Sequence, residues 1–220
     1  MIEIATSDTL ILLADNLKQK VTPLRLQKRT EGSQGLSTIK AFEKKGAKAK
    51  VLPASAKEKR RIEFIGDSYT CGYGVESKLG DRFEGATENC DLAHGAILAR
   101  LFDADYNFVS NSGRGMVRNF GDSTSTSENG TMRELVRQTF NTQATPLWDY
   151  STSPYTPDLV VIFLGINDYS TAPQPSIDEF AEGYKEMIRT LRAGAMVMQP
   201  LFCVLPQQQV EEHQRKPSTR

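Results

Sequence analysis

The stretch IEFIGDSYTCGYG, residues 62–74, joins an apolar strand pattern to an acid and a serine at its end. The apolar run stops at Gly66, and Asp67 and Ser68 follow at once. A short apolar run that ends at a turn residue predicts a buried β-strand. Ser68 is then either a nucleophile or an ordinary cap of the next helix, and this stretch alone leaves both interpretations open.

Two further apolar runs end in the same manner. YNFVS (106–110) precedes the glycine-rich turn NSGRG (111–115), and DLVVIFLG (158–165) precedes Ile166-Asn167-Asp168. The unbroken apolar character of 158–165 is typical of a strand that is covered on both faces, as in a parallel sheet. The segment AMVMQPLFCVLP (195–206) predicts a further strand, which Pro200 weakens.

Helical patterns lie between these strands. One covers 87–102, with Thr87 as its N-cap and one apolar face, and another covers 131–140. The strongest covers 176–191, where Ser176 and Glu179 form a capping box. The apolar face expected for 87–102 consists of Ala93, Ala96, Ile97 and Leu101. Strands that alternate with helices predict an α/β fold with a doubly wound parallel sheet.

The carboxyl ends of the strands in such a sheet form the active crevice. Here they would bring together the Ser68 hydroxyl, the backbone of Gly113 and the side chain of Asn167. The N–H groups of Ser68 and Gly113 and the NH₂ of Asn167 could stabilise an oxyanion when Ser68 attacks an ester. Taken singly, each residue also suits a cap or a turn. Their joint position at three strand ends favours catalysis, although Thr70 excludes the G-x-S-x-G elbow.

The motifs GDSYT (66–70), SGRG (112–115) and GIND (165–168) resemble the first three sequence blocks of the SGNH, or GDSL, hydrolases. From about residue 20 to residue 190 the chain is also similar to carbohydrate esterase family two. The stretches that carry this second similarity are RTEGSQG (29–35), RRIEFIGDSYTCGYG (60–74), TENCDLAHGAILAR (87–100) and GIND.

The resemblance implies a flavodoxin-like SGNH-hydrolase domain behind a small jelly-roll-like β-sandwich. It also implies a serine esterase that deacetylates carbohydrates such as xylan and uses no cofactor. Ser68 would be the nucleophile, and Ser68, Gly113 and Asn167 would form the oxyanion hole. The acetylated carbohydrate is the only partner that we expect, and we expect a monomer.

The general base that would activate Ser68 is not evident. The family resemblance implies a histidine in a late D-x-x-H motif, and no such motif follows residue 168. His213 lies in the polar stretch VEEHQRK, and His94 lies in a helix pattern that comes too early. Neither position predicts a base with any strength. A non-catalytic carbohydrate-binding protein on the same scaffold is therefore the alternative hypothesis.

The predicted domain organisation has four parts. Alternating segments such as TLILLA and STIKAFEK predict part of an antiparallel β-sandwich over 1–52, which is too short for the seven or so strands of a whole sandwich. A charged linker follows over 53–61. We expect a truncated SGNH hydrolase domain over 62–206 and a polar tail over 207–220.

Composition and smaller motifs set further limits. Lys and Arg number 27, as do Asp and Glu, and this balance excludes a global attraction to nucleic acid or anionic membranes. The first 20 residues lack the pattern of a signal peptide, whereas the family resemblance implies secretion, so the localisation stays open. Trp148 could stack on a sugar ring or pack on the sheet. Asp67 and Asp168 lack supporting ligands and do not predict a metal.

Overall fold

The computed structural model describes residues 10–18, 20–46, 49–53, 58–78, 80–140, 143–153, 155–194 and 199–205. Its strands are β1 (Arg60–Gly66), β2 (Ala104–Ser110), β3 (Gln138–Phe140), β4 (Gln143–Leu147), β5 (Leu159–Phe163) and β6 (Leu201–Val204). Its α-helices are α1 (Ser68–Cys71), α2 (His94–Leu101), α3 (Met132–Leu135), α4 (Ile166–Tyr169) and α5 (Ile177–Gly194). Three 3-10 turns cover Gly32–Gln34, Gly85–Thr87 and Cys90–Leu92.

The central sheet has four parallel strands in the order β2-β1-β5-β6. Phe64 of β1 lies beside Phe108 of β2 on one side and beside Val161 of β5 on the other. The next strand along the chain, β2, therefore lies on one side of β1, and β5 lies on the other. A doubly wound sheet opens a crevice at such a reversal of strand order. The predicted α/β fold is confirmed.

Apolar side chains cover both faces of this sheet. On one face, Ile65 and Ile162 pack beneath the buried residues of α5, which include Tyr184, Met187 and Leu191. On the other face, Phe64 packs with Ala99 of α2. The strands read as near-continuous apolar runs because both of their faces are buried.

The capping box at the start of α5 is confirmed. The Ser176 hydroxyl accepts the Glu179 N–H at 3.2 Å, and the Glu179 carboxylate accepts the Ser176 N–H at 2.7 Å. These two bonds satisfy N–H groups that the first turn of a helix leaves without partners. The helix begins one residue after Ser176 and runs to Gly194.

The helix predicted over 87–102 is wrong in its start and correct for only part of its buried face. The chain forms two 3-10 turns before α2 begins at His94, and Thr87 ends the first of them. Of the predicted buried face, Ala93 and Ala96 are buried, whereas Ile97 and Leu101 are 46% and 75% exposed. The cause lies at Gly95, where a Cβ would come within 2.5 Å of the Phe108 ring. The small residues of α2 face the sheet because they allow this close approach.

The prediction for 131–140 is correct only in part. Met132–Leu135 is helical, whereas Gln138–Phe140 pairs in antiparallel fashion with Gln143–Leu147 as a separate two-stranded sheet. Thr139 and Phe140 favour a strand, and the pairing with β4 determines their conformation. The strand expected within 195–206 is confirmed as β6, while 195–198 and 206 lie outside the described residues.

The N-terminal region differs from its predicted strand pattern. Between 10 and 53 the described residues form no strand, and Gly32–Gln34 is the one helical turn described there. A strand needs a paired neighbour to be stable, and none is described beside these segments. The β-sandwich over 1–52 therefore stays a prediction. The linker assigned to 53–61 overlaps β1 at Arg60 and Arg61, and the tail lies outside the described residues.

No helix in the described part of the chain is long and apolar enough to cross a membrane.

Candidate active site

Ser68 is the first residue of α1, directly beyond the end of β1. Asp67 precedes it as the N-cap, and its carboxylate accepts the Tyr69 N–H at 3.0 Å. Gly66 is required at the strand end because a Cβ there would come within 2.0 Å of the Thr70 hydroxyl. The strand, cap and helix therefore present Ser68 at the carboxyl edge of the sheet, as predicted.

The turn after β2 lies against the end of β1. The Asn111 N–H donates to the Gly66 carbonyl at 3.2 Å, and the Gly113 carbonyl accepts the Phe120 N–H at 2.8 Å. Gly113 has φ +76°, a conformation that favours glycine. No atom lies within 4 Å of the place where its Cβ would be. Gly113 is thus required by its backbone conformation, and the space beside it is open.

Asn167 links all three strand ends. Its side-chain NH₂ donates to the Arg114 carbonyl at 2.9 Å and to the Asp67 carboxylate at 3.2 Å. Asn167 itself is buried in the first turn of α4. Both amide hydrogens are therefore directed at protein oxygens. To donate a hydrogen bond to an oxyanion, the Asn167 amide would have to give up its longer hydrogen bond, the one to Asp67.

Asp168 has a role that sequence analysis missed. Its buried carboxylate accepts three backbone N–H groups, from Met116 at 2.9 Å, Val117 at 2.8 Å and Arg118 at 2.9 Å. A Cβ on Gly115 would come within 1.9 Å of the Arg118 carbonyl and within 2.6 Å of the Asp168 carboxylate. Asp168 and Gly115 together fix the path of the chain beyond the Gly113 turn. The GIND motif was the only local signal for this residue.

Arg118 is fully buried beneath the same turn. Its guanidinium donates to the Thr124 carbonyl at 2.9 Å, the Thr171 hydroxyl at 2.9 Å and the Asp168 carbonyl at 3.4 Å. It also bonds to the Asp122 carbonyl. A buried cation needs such partners to offset the loss of water. Arg118 thereby holds 122–124 and the end of α4 to the turn.

Asp67 titrates close to neutral pH. Burial raises its pKa to about 7, the N–H of Tyr69 opposes this rise, and the nearby Asp168 charge adds to it. Burial also raises the pKa of Asp168, against the three N–H donors that lower it. Both carboxylates accept hydrogen bonds from N–H groups of the protein. We therefore interpret Asp67 and Asp168 as structural hydrogen-bond acceptors.

His94 lies at the start of α2, with its ring edge-on to Phe163 at 5.4 Å and to Phe64 at 6.1 Å between ring centroids. Burial lowers the pKa of His94, and a hydrogen bond with the Tyr69 backbone partly raises it. No hydrogen bond joins any described residue to the Ser68 hydroxyl. His213 lies outside the described residues.

The hydrogen bond and the ring contact described for Trp148 involve residues outside the three strand ends. Its backbone N–H donates to the Arg137 carbonyl at 2.7 Å, and its ring lies edge-on to the Tyr150 ring, with 6.3 Å between the ring centroids. Tyr150 packs against Gly194 at the end of α5 and donates to Glu63 at 3.3 Å. The stacking of a sugar on Trp148 stays a prediction.

Residues 64–218 match the GDSL-like Lipase/Acylhydrolase family. The match covers more than half of the chain, and the chain therefore belongs to this family. This result confirms the resemblance drawn from GDSYT, SGRG and GIND. The match also extends beyond residue 206, where the sequence analysis ends the hydrolase domain.

The chain is also similar to curated proteins named as esterases that act on carbohydrates. The cellulase/esterase CelE of Acetivibrio thermocellus is 33% identical over 206 residues, which make up 92% of this chain and 24% of CelE. An acetylxylan esterase / glucomannan deacetylase of Cellvibrio japonicus is 39% identical over 153 residues, 68% of this chain and 40% of that protein.

A solved structure agrees with these relatives. A family two carbohydrate esterase from Clostridium thermocellum, in complex with cellohexaose, is 33% identical with a TM-score of 0.64. The similarity covers 71% of this chain and 46% of that one. The chain thus spans less than half the length of these relatives. The resemblance to carbohydrate esterase family two is confirmed.

Proposed function

We propose that this chain carries the nucleophile and oxyanion hole of a serine esterase that removes acetyl groups from carbohydrates such as xylan. The observation that supports this most directly is the Asn167 side chain, whose two hydrogen bonds join the turns that hold Ser68 and Gly113. The names of the relatives, acetylxylan esterase and glucomannan deacetylase, support the substrate class.

In this reaction the Ser68 hydroxyl oxygen attacks the acetyl carbonyl carbon, and the hydroxyl proton passes to a general base. The carbonyl oxygen becomes an oxyanion that accepts the N–H groups of Ser68 and Gly113. Neither N–H has an acceptor among the described residues. The sugar alcohol leaves with the proton from the base, and water then hydrolyses the acetyl-enzyme to acetate.

Asn167 supplies the third donor in this proposal. A developing negative charge attracts an N–H more strongly than a neutral acceptor does. Asp67, with a pKa of about 7, is partly protonated near neutrality and is then the weaker acceptor of the two. The amide hydrogen on Asp67 can thus move to the oxyanion while the bond to Arg114 keeps the side chain in place.

The chain contains His94 and His213, and substitution tests whether either of them is the base. Alanine variants of each, assayed with the whole chain, show whether the reaction uses that imidazole. Loss of turnover with an unchanged fold assigns the base to that residue. His94 is exposed and bonds to the Tyr69 backbone, so His94→Ala should fold and its turnover can be compared directly with that of His213→Ala.

The Ser68→Ala variant tests the proposal. It should reduce acetate release from acetylated xylan and from p-nitrophenyl acetate by about 1000-fold or more, because the nucleophile is removed. Ser123→Ala is the matched control, since Ser123 is exposed and no hydrogen bond of its side chain is described. Full activity of the Ser68→Ala variant would overturn the assignment.

A second candidate function is carbohydrate binding without catalysis on the same scaffold. It is favoured by one observation: no described imidazole forms a hydrogen bond with the Ser68 hydroxyl. It predicts that xylan or cello-oligosaccharides bind to the chain while p-nitrophenyl acetate is not hydrolysed. Calorimetric titration with cellohexaose, run beside the turnover assay, separates the two functions.

A further inference from the structure

The segment RTEG (Arg29–Gly32) lies outside the parallel sheet but is attached to the loop that precedes α2. The Arg29 carbonyl accepts the Cys90 N–H at 3.0 Å, and the Arg29 guanidinium donates to the Glu88 carbonyl at 3.3 Å. An ion pair joins Arg29 to Glu76. The Glu31 N–H donates to the Glu88 carboxylate at 2.5 Å. These bonds attach the segment that contains Glu31 to Glu76, Glu88 and Cys90.

The carboxylate of Glu31 reaches from this segment into the candidate active site. One of its oxygens accepts the Ser112 N–H at 2.7 Å and the Cys71 thiol at 3.5 Å. Ser112 directly precedes Gly113, and Cys71 ends the helix that begins with Ser68. The Glu31 side chain, 81 residues before Ser112, therefore contacts both the turn that contains Gly113 and the helix α1 that begins with Ser68.

The contact with Ser112 is a hydrogen bond between a backbone N–H and a charged acceptor, and such bonds are among the stronger ones. Burial raises the pKa of the Cys71 thiol, and the Glu31 charge raises it further, so Cys71 is a neutral donor. The Lys28 ammonium donates to the Glu31 carbonyl at 2.8 Å and places a positive charge beside the carboxylates of Glu31 and Glu88.

The ligand atoms of Glu31, Cys71 and Glu88 lie within 4.8 Å of one another, a spacing that a metal ion could also use. The Glu31 oxygen and one Glu88 oxygen already accept N–H groups, and the cation of Lys28 is adjacent. The hydrogen bonds thus account for Glu31 better than a metal does. The other oxygen of Glu88 is buried and has no partner among the described residues.

We propose that Glu31 is a positioning residue, which holds the Ser112 peptide so that the adjacent Gly113 N–H points at the reacting oxygen. The inference rests on the proposed esterase function. Gly113 has open space beside it and a conformation that glycine adopts among many others. The bond from Ser112 to Glu31 restricts the Asn111–Ser112 peptide, which directly precedes the peptide that carries the Gly113 N–H. The bond from Phe120 restricts the Gly113 carbonyl.

The first test separates kcat from KM. Glu31→Ala should lower kcat for p-nitrophenyl acetate by about 10- to 100-fold and leave KM within about twofold. The reason is that the misplaced Gly113 N–H stabilises only the transition state. Glu31→Gln keeps an oxygen that accepts the Ser112 N–H, so it should recover most of the loss. Glu43→Gln, at an exposed site, is the control for charge removal.

The second test does not depend on turnover. Hydrogen exchange of the Ser112 amide, followed by NMR on the whole chain, should be at least about 10-fold faster in Glu31→Ala than in wild type, because its acceptor is gone. If Glu31→Ala does not fold, the exchange of the Ser112 amide is measured in Glu31→Gln instead. We expect a smaller increase in the exchange rate in that variant. Unchanged exchange in a folded variant would overturn the inference.

The outcomes distinguish this inference from the function on which it rests. A wild-type chain without turnover contradicts the esterase proposal, and Ser112 exchange then still shows whether Glu31 holds the turn. An active wild type whose kcat is unchanged in Glu31→Ala overturns the inference alone. Loss of wild-type activity with EDTA and its recovery with zinc would also overturn it, in favour of a metal at Glu31, Cys71 and Glu88.

Discussion

The side-chain amide of Asn167 donates a hydrogen bond to the carboxylate of Asp67 at 3.2 Å, and this bond joins the end of β5 to the end of β1. The same amide donates to the Arg114 carbonyl beyond β2. Neighbouring strands of the sheet therefore present their functional groups as one connected unit. Substitution of the residues at each of these connections should therefore affect catalysis or stability.

Asn167→Ala should lower kcat for p-nitrophenyl acetate by about 100- to 1000-fold, the usual effect of removing one oxyanion donor. The variant also loses both links between the turns. Stopped assays with saturating substrate give kcat directly. Gln143→Ala, at an exposed position of β4, is the control. A decrease of less than about threefold in Asn167→Ala would remove the residue from the proposed oxyanion hole.

Asp67 should make the stability of the fold depend on pH. Its folded pKa of about 7 lies above its ordinary value of 3.8. Between these two values the folded chain holds the proton more tightly than the unfolded chain does, so the contribution of Asp67 to stability is present at low pH. It is lost as the pH rises through about 7.

Asp67→Asn removes this titration. The difference in free energy of unfolding between the variant and wild type should therefore shift in favour of the variant between pH 4 and pH 8, by a few kcal/mol at most, as estimated from a displacement of roughly three pKa units. Urea unfolding at a series of pH values measures the shift. Parallel curves for the two proteins across this range would contradict the assigned pKa.

The two glycines of the SGRG motif should respond differently to alanine. Gly113→Ala meets no atom and carries only the penalty of a left-handed conformation, about 1 kcal/mol. Gly115→Ala places a Cβ against the Arg118 carbonyl and the Asp168 carboxylate, and this overpacking should cost about 3 kcal/mol. Thermal unfolding of both variants gives the comparison. Equal losses at the two positions would argue against the described path of the turn.

Asp168→Ala leaves three buried N–H groups without their acceptor. Each such group costs about 1–3 kcal/mol, so the variant should lose more than about 3 kcal/mol of stability. Asp168→Asn keeps one carbonyl oxygen and should lose less. Asp178→Ala, on the exposed side of α5, controls for the loss of an acidic residue. Chemical denaturation measures all three, and a stable Asp168→Ala variant would show that the turn is held by other contacts.

The sequence predicts those features that local pattern determines. The apolar runs of β1 and β5 predict the parallel sheet, and the capping box of Ser176 and Glu179 predicts the start of α5 within one residue. The buried face of α2 is predicted only in part, because Gly95 lies against Phe64 and Phe108 and this packing leaves Ile97 and Leu101 exposed to solvent.

The residues of the candidate site also differ in whether the local sequence predicts them. Ser68, Gly113 and Asn167 are predicted because each follows a strand, and the structure brings their turns together. The roles of Asp168 and Glu31 depend on bonds to Met116 and Ser112, which are 52 and 81 residues away along the chain. No local pattern contains such contacts, and only the folded chain shows them.

The most direct test of the central claim, that Ser68 is an activated nucleophile, is labelling of the whole chain with a fluorophosphonate probe. Peptide mass spectrometry then locates the modified residue, since the probe reacts only with an activated hydroxyl. The account predicts a label on Ser68 that is absent in Ser68→Ala and unchanged in Ser123→Ala. A folded wild-type chain that carries no label on Ser68 would contradict it.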